Sequence, residues 1–176
     1  MSGYQLLRTE RLVLDAVTVK DLEPMFALHS DPDVWAHLPQ GRHLDREDTV
    51  RFLDQREREW SAAGLGYWVA RVERNLADGA LPAGPCVGIG GCARRFDTVW
   101  TIYYRLTPAA WGHGLTSEIV AAARAAAVNI DPRLPVVAYL LEHNHGSGRT
   151  AERAGLNLVW RGPDHGNPDP AAIRLI

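Results

Sequence analysis

Cysteine is scarce in this chain: among 176 residues only Cys86 and Cys92 carry a thiol. They fall six positions apart in one predicted strand, roughly 20 Å at about 3.3 Å per residue, so they cannot bridge each other. Neither a CxxC spacing nor a further thiol accompanies them, which excludes a disulfide scaffold and reads as a reducing compartment with two small buried side chains. An excess of charge is missing too. Nineteen basic side chains against 21 acidic ones leave a formal charge of -2 with no block of like sign, so no broad footprint for nucleic acid exists and none is expected as a partner. Long hydrophobic runs are absent. The longest, IVAAARAAAVNI, is interrupted by Arg124 and is too short to span a bilayer, while MSGYQLLRTE lacks a basic region followed by an apolar run. The chain is expected to be cytoplasmic, with no membrane partner.

What is present suffices for one core. A composition of 46% hydrophobic and 23% charged residues over this length supports a single well-buried domain, residues 1–176, and not two. RLVLDAV, from Arg11, alternates as a strand does, and Thr18 three positions before Asp21 opens a helix through about Ser30. Residues 31–43 read as a loop, Asp45 caps a helix over 46–63, and Gly64 stops it. The period then changes: 66–74, 85–96 and 99–107 are strand-like runs that should form an antiparallel meander. A helix over 115–129, a strand over 136–143, a short helix over 147–154 and the strands LNLVWRG and AAIRLI complete the pattern. Ile176 follows closely on the start of the last strand, the pattern of a chain cut short at its C-terminus.

The stretch AAWGHGLTSEIVAAARAAA, residues 109–127, places Gly112 and Gly114 between a strand end and an Ala-rich helix. Backbone N–H groups converge on an anion in such a turn, and glycine lets it approach closely. A P-loop would need a Lys and a Ser or Thr after the second glycine, where Leu115 and Thr116 stand, and so fails. A dinucleotide fold would need a glycine at Ser117 and more chain than remains, although Glu142 could imitate the acid that binds a ribose. A tight strand-to-helix turn without any ligand stays open beside them.

A second stretch, NHGSGRTAERAGL at 144–156, stands at the end of the next strand. Together with WGHGLTSEIV it resembles two motifs of the GNAT superfamily of acetyl-CoA-dependent N-acetyltransferases, closest to the ribosomal-protein N-acetyltransferase (Rim-like) branch. TERLVLDAV, the DPDVWAHLP loop and AERAGL extend the likeness over nearly the whole chain. The resemblance implies an α/β (α+β) fold, a mixed and mostly antiparallel twisted sheet with helices on both faces, and acetyl-CoA as co-substrate. It also implies a bulge that splays the strand before the glycines from its neighbour. Trp111, Gly112, His113, Gly114, Leu115 and Thr116 would form the cofactor turn, with Trp111 packed under it. Backbone groups near Leu106 and Thr107 would pair with the pantetheine, one N–H there polarising the acetyl carbonyl. Asn144 and Ser147 would open the helix beside the thiol, and Arg149 would contact phosphate. Two departures are Ala109, where the family often has Arg or Gln, and Tyr139, where many members place an acid.

The implied chemistry is acyl transfer from a thioester to an amine acceptor. It needs an unprotonated amine, a polarised carbonyl and a proton or hydrogen bond for the leaving thiolate. Alignment alone recovers about 7–11 kcal/mol in favourable systems, so few catalytic side chains are required. Ser147 is the candidate for the coenzyme A sulfur, beside the alternative of a plain helix cap. The general base stays open among His37, His43, Glu142, His143 and Tyr139, with Glu142 placed first. His143 and His145 lack a third ligand in motif spacing, so no metal is expected. Trp35 and His37 are candidates for the acceptor site because their loop does not require burial, whereas Trp68 and Trp100 read as core. The acceptor is a protein N-terminus or a small amine. A homodimer is compatible with such a fold, though no stripe in the sequence demonstrates one. The contrasting reading is a non-catalytic acyl-CoA sensor, supported by Tyr139 alone.

Overall fold

The computed structural model describes residues 3–162 and 172–175. Its described strands form one sheet in the order β1-β2-β3-β4-β5-β6-β8-β7. These are β1 (Leu6–Arg8), β2 (Leu12–Ala16), β3 (Tyr67–Val72), β4 (Cys86–Arg95), β5 (Val99–Leu106), β6 (Val136–Leu141), β7 (Leu158–Gly162) and β8 (Ala172–Leu175). Every pairing is antiparallel except β5 with β6, which run parallel. The expected meander is β3–β4–β5, and β8 inserts between β6 and β7. Strand β1 escaped the sequence pattern because three residues are too few to show an alternation.

Helices α1 (Leu22–Ser30) and α2 (Arg46–Ala63) pack on one face, and α3 (Leu115–Ile130) and α4 (His145–Arg153) on the other. Thr18 does cap through a reciprocal box with Asp21, but what it opens is one 3-10 turn, Val19–Asp21, before α1 begins at Leu22. The box at α2 forms between Asp45 and Asp48, and Gly64 closes that helix at φ +69° with its N–H on the Trp60 carbonyl. On α3 the side chains of Leu115, Ile119, Val120, Ala123, Ala126 and Ala127 are buried, the stripe that 3.6-residue periodicity sends toward the sheet. A Cβ on Gly90 of β4 would lie 2.6 Å from Ile119 and 2.9 Å from the Tyr103 carbonyl, so glycine there is what lets α3 sit this close. Trp68 and Trp100 are fully buried, as expected of core tryptophans.

Strand β6 ends at Leu141, so Glu142 and His143 lie in a turn, and α4 starts at His145, two residues before the expected start. Asn144 explains both changes: its side chain accepts the Ser147 N–H and so caps the helix from the turn.

Candidate functional site

The site opens where two strands part. Strands β5 and β6 pair from Trp100↔Val136 to Ile102↔Ala138 and no further, although β5 runs on to Leu106 and β6 to Leu141. The register of β5 with β4 is continuous over this stretch, so the expected bulge is not in β5; register shifts fall instead in the pairing of β3 with β4, at Ala70/Arg71, and of β7 with β8, at Leu158/Trp160. Amides alternate sides along β5. The Thr107 N–H donates to Val87 O at 2.9 Å toward β4, and the Trp100 N–H donates to Pro135 O at 2.9 Å toward β6. Tyr104 and Leu106 share the parity of Trp100, so their backbone groups face the opening. The Thr107 amide is therefore committed to the sheet, which corrects the expectation that it could serve a ligand. The Leu106 carbonyl in the opening accepts the Trp111 indole N–H at 2.9 Å.

Two neighbouring hollows with shared walls occupy the opening. A cavity of about 480 Å³ is lined by residues that include Tyr104, Leu106, Trp111, Gly112, Thr116 and Arg149. A smaller lobe of about 190 Å³ lies toward Tyr139 and Leu140. His37, Tyr104, Arg105, Asn144 and Ser147 stand on the walls of both.

The glycine turn closes one end. A 3-10 turn over Pro108–Ala110 leads into Gly112 at φ +79° and Gly114 at φ +74°, and Gly114 is the N-cap of α3 with no side-chain cap. No heavy atom lies within 4 Å of where a Cβ on Gly112 would be, so the backbone there faces open space. Left-handed glycines, a helix start without a side-chain cap and the positive end of a 16-residue helix are a geometry that can hold an anion. Arg11 braces it from below by donating from Nη1 to His113 O at 2.7 Å and by pairing with Glu118. Burial pushes the Glu118 carboxyl up, but hydrogen bonds from Thr9 and Arg11 more than offset this and hold it below its ordinary range. Trp111 is half exposed on the cavity wall, and not packed beneath the turn as expected. Leu115 is 1% exposed and belongs to the core, so it could meet a ligand only through backbone, whereas His113 is exposed.

Helix α4 supplies the opposite wall. Asn144 is its cap, which separates Ser147 from the plain capping role the sequence had allowed it. Arg149 and Arg153, one helical turn apart, line the larger cavity together with Thr150. The Tyr104 hydroxyl donates to Ser147 O at 2.7 Å and ties β5 to α4 across the opening. Burial pushes that phenol up to about 12 despite the hydrogen bond to Ser147, so it stays protonated.

The smaller lobe corrects two expectations. Glu142 is not on either wall; its carboxylate pairs with Arg161 Nε at 2.9 Å. Trp35 is 8% exposed and packed under the Arg105 guanidinium, whose carbon lies 3.4 Å from the ring centroid. A residue in a loop can still be buried when a strand side chain covers it, and here Arg105 does so. His43 is occupied elsewhere, with Nδ1 2.8 Å from Thr49 Oγ1 and its ring stacked on His29. Of the candidate bases, His37 and Tyr139 line the lobe. Burial, with Arg105 and His143 nearby, pushes the His37 imidazole down to about 4, so it is neutral at physiological pH. His143 lies 2.7 Å from His37 O through Nε2 and fixes that loop. Among the described residues no group of three or more His, Cys, Asp or Glu is placed to hold a metal, and no helix is long and apolar enough to cross a membrane.

The sequence reading missed Tyr104, Arg105 and Arg153, and the Arg11–Glu118 brace. Alternation marks Tyr104 and Arg105 only as strand residues; Arg153 had a readable signal, its i+4 spacing from Arg149.

The chain thus presents a cleft between two splayed parallel strands, with left-handed glycines at a helix N-terminus on one side. The acetyltransferase (GNAT) domain model matches residues 11–157, and the chain belongs to that family. Solved structures agree. A GnaT-family acetyltransferase from Bordetella pertussis shares 25% identity and a TM-score of 0.77, covering 97% of this chain and 98% of that one. The RimL ribosomal L7/L12 alpha-N-protein acetyltransferase, solved with coenzyme A, shares 14% identity and a TM-score of 0.75 over 97% and 96% of the two chains. The microcin C7 self-immunity acetyltransferase, solved with acetyl-CoA and AMP, shares 13% identity and a TM-score of 0.71 over 95% and 92%. Rim-like proteins are thus among its structural relatives, as the motifs implied. No curated protein matches the sequence significantly.

Proposed function

We propose that this protein is an N-acetyltransferase that moves the acetyl group of acetyl-CoA directly to a primary amine. The observation that carries this reading is the shared wall of the two hollows: the glycine turn lines the larger, Tyr139 lines the smaller, and Tyr104, Asn144 and Ser147 line both. A long cofactor with an anionic end and a reactive end fits the first, and an acceptor fits the second. The backbone N–H groups of the 112–116 turn, with Arg149 and Arg153, would hold the phosphates. The Tyr104 and Leu106 amides would pair with the pantetheine and polarise the acetyl carbonyl.

Acetyl-CoA supplies an activated thioester: the amine lone pair attacks its carbonyl carbon, a C–N bond forms, the C–S bond breaks, and the thiolate leaves. The amine gives up one proton, and the thiolate gains one from solvent or a neighbouring hydroxyl. Ser147, on the wall of both hollows, would donate a hydrogen bond to the departing sulfur. Neutral His37 can accept a hydrogen bond from the incoming amine and orient it. With the low pKa of His37 and the displacement of Glu142, alignment carries most of the rate and the amine must arrive already neutral.

The test is a calorimetric titration with acetyl-CoA beside NAD, followed by thiol release from acetyl-CoA over a panel of amines. Micromolar acetyl-CoA binding, about -8 kcal/mol, with amine-dependent thiol release supports the reading. Binding without release from any amine favours an acyl-CoA sensor, and binding of NAD alone sends the glycine turn back to a dinucleotide.

A further inference from the structure

We propose that Arg105 recognises an anionic group on the acceptor, so that the amine acetylated here belongs to a small molecule carrying a carboxylate or a phosphate. This rests on the acetyltransferase reading and adds the substrate class.

Arg105 stands on the walls of both lobes, where they meet. Three groups fix its head: Nε donates to the Tyr103 hydroxyl at 2.8 Å, Nη1 donates to Val34 O at 2.9 Å, and the guanidinium plane covers the Trp35 ring. None of these is an anion. Arg11, Arg46, Arg71, Arg95 and Arg133 each pair with a carboxylate, whereas Arg105 has none within ion-pair distance among the described residues. Asp33, the acid on the wall of the larger cavity, makes no ion pair with it. Its charge is felt nearby instead: after burial, Arg105 is among the causes that hold His29, His37 and His43 below their ordinary values.

A partly buried guanidinium held rigidly without a counter-ion is costly unless a ligand supplies the anion, and its planar fork matches carboxylate and phosphate. The phosphates of the cofactor have another place. Arg149 and Arg153 reach the larger cavity from α4, while the Arg105 head is held by Val34 and Trp35 on the far side of β5 from the core that α3 builds. The smaller lobe contains no acidic side chain: its polar wall is His37, Tyr103, Tyr104, Arg105, Tyr139, Asn144 and Ser147. An acceptor that is purely cationic would meet like charge and find no partner. At about 190 Å³ the lobe is also below the roughly 300–1,000 Å³ of sites for drug-sized ligands, which suits a small acceptor.

The experiment compares paired acceptors that differ in the anion: an α-amino acid against its amide and its decarboxylated amine, and O-phosphoethanolamine against ethanolamine. Acetyl-CoA affinity is measured alongside thiol release. The intact protein should favour at least one anionic member by about 30-fold in kcat/KM, the worth of a hydrogen bond to a charged group; the two pairs tell carboxylate from phosphate. Arg105→Gln should erase that preference through KM, with acetyl-CoA affinity held within about threefold, and Arg105→Lys should keep part of it. A merely structural role for Arg105 would lower both members of a pair alike and leave the preference standing. Equal rates for both members, a preference that survives Arg105→Gln, or bound acetyl-CoA with no release from any amine would overturn the proposal. Failure of acetyl-CoA to bind would instead remove the acetyltransferase reading beneath it, and this proposal with it.

Discussion

Gly112 holds φ at +79° with nothing within 4 Å of its virtual Cβ, so an alanine methyl there would project into the open cradle and not into protein. The left-handed backbone costs an L residue about 1–2 kcal/mol, which for a chain of this size lowers the Tm by roughly 2–8 °C. Gly84 is a matched control: its φ is +99°, its virtual Cβ also meets nothing within 4 Å, and it is not on the wall of either lobe. Gly84→Ala should lose at least as much stability and leave acetyl-CoA affinity unchanged. Gly112→Ala should in addition push the pyrophosphate off the backbone amides. Losing one charge-assisted hydrogen bond of about 1.5–3 kcal/mol weakens binding by roughly 10- to 150-fold. Thermal melts and calorimetric titration of both variants make the comparison, and equal acetyl-CoA affinity in the two would refute the cradle.

Three further outcomes are expected. Ser147→Ala leaves the Asn144 cap intact, so it should lower kcat by about 10-fold with acetyl-CoA affinity little changed, in line with the loss of one hydrogen bond to developing charge; an unchanged kcat would remove Ser147 from the chemistry. His37 titrates near 4, so kcat/KM should show no inflection between pH 6 and 7 attributable to it; an inflection there that vanishes in His37→Gln would contradict the burial argument. His29 is 1% exposed and, chiefly through burial, pushed down from 6.5 to about 3, with its Nδ1 2.8 Å from Met25 O. The unfolded chain therefore binds the proton first, and stability present above pH 6.5 should fall by about 1.4 kcal/mol per pH unit as pH drops toward 3. Urea midpoints at pH 7.0 and 4.5 should show this slope, and His29→Gln should flatten it by one proton's share; an unaltered slope would count against a neutral buried imidazole.

Much of this protein is decided by local chemistry, and that part was legible in the sequence. A left-handed turn needs glycine, so Gly112 and Gly114 announce the cradle before any neighbour is known. Asp45, Thr18 and Gly64 mark helix ends through hydrogen bonds a few residues long, and period-2 runs mark β3, β4 and β5. The smaller lobe is different in kind. It is assembled from residue 37 of a loop, residues 103–105 of β5, residue 139 of β6 and residue 147 of α4, and these meet only because the parallel pairing of β5 and β6 stops at Ile102↔Ala138. Pairing register leaves no trace in spacing along the chain. For the same reason the sequence misplaced Trp35, which is buried because Arg105 arrives over it from a distant strand. It misplaced Glu142 as well, which the end of β6 turns out of the cleft toward Arg161. The sequence by itself determined a left-handed glycine turn before a helix on an α/β frame. Which side chains line the cleft was decided by the tertiary structure, because side-chain direction beyond one helical turn or one strand depends on what packs against it.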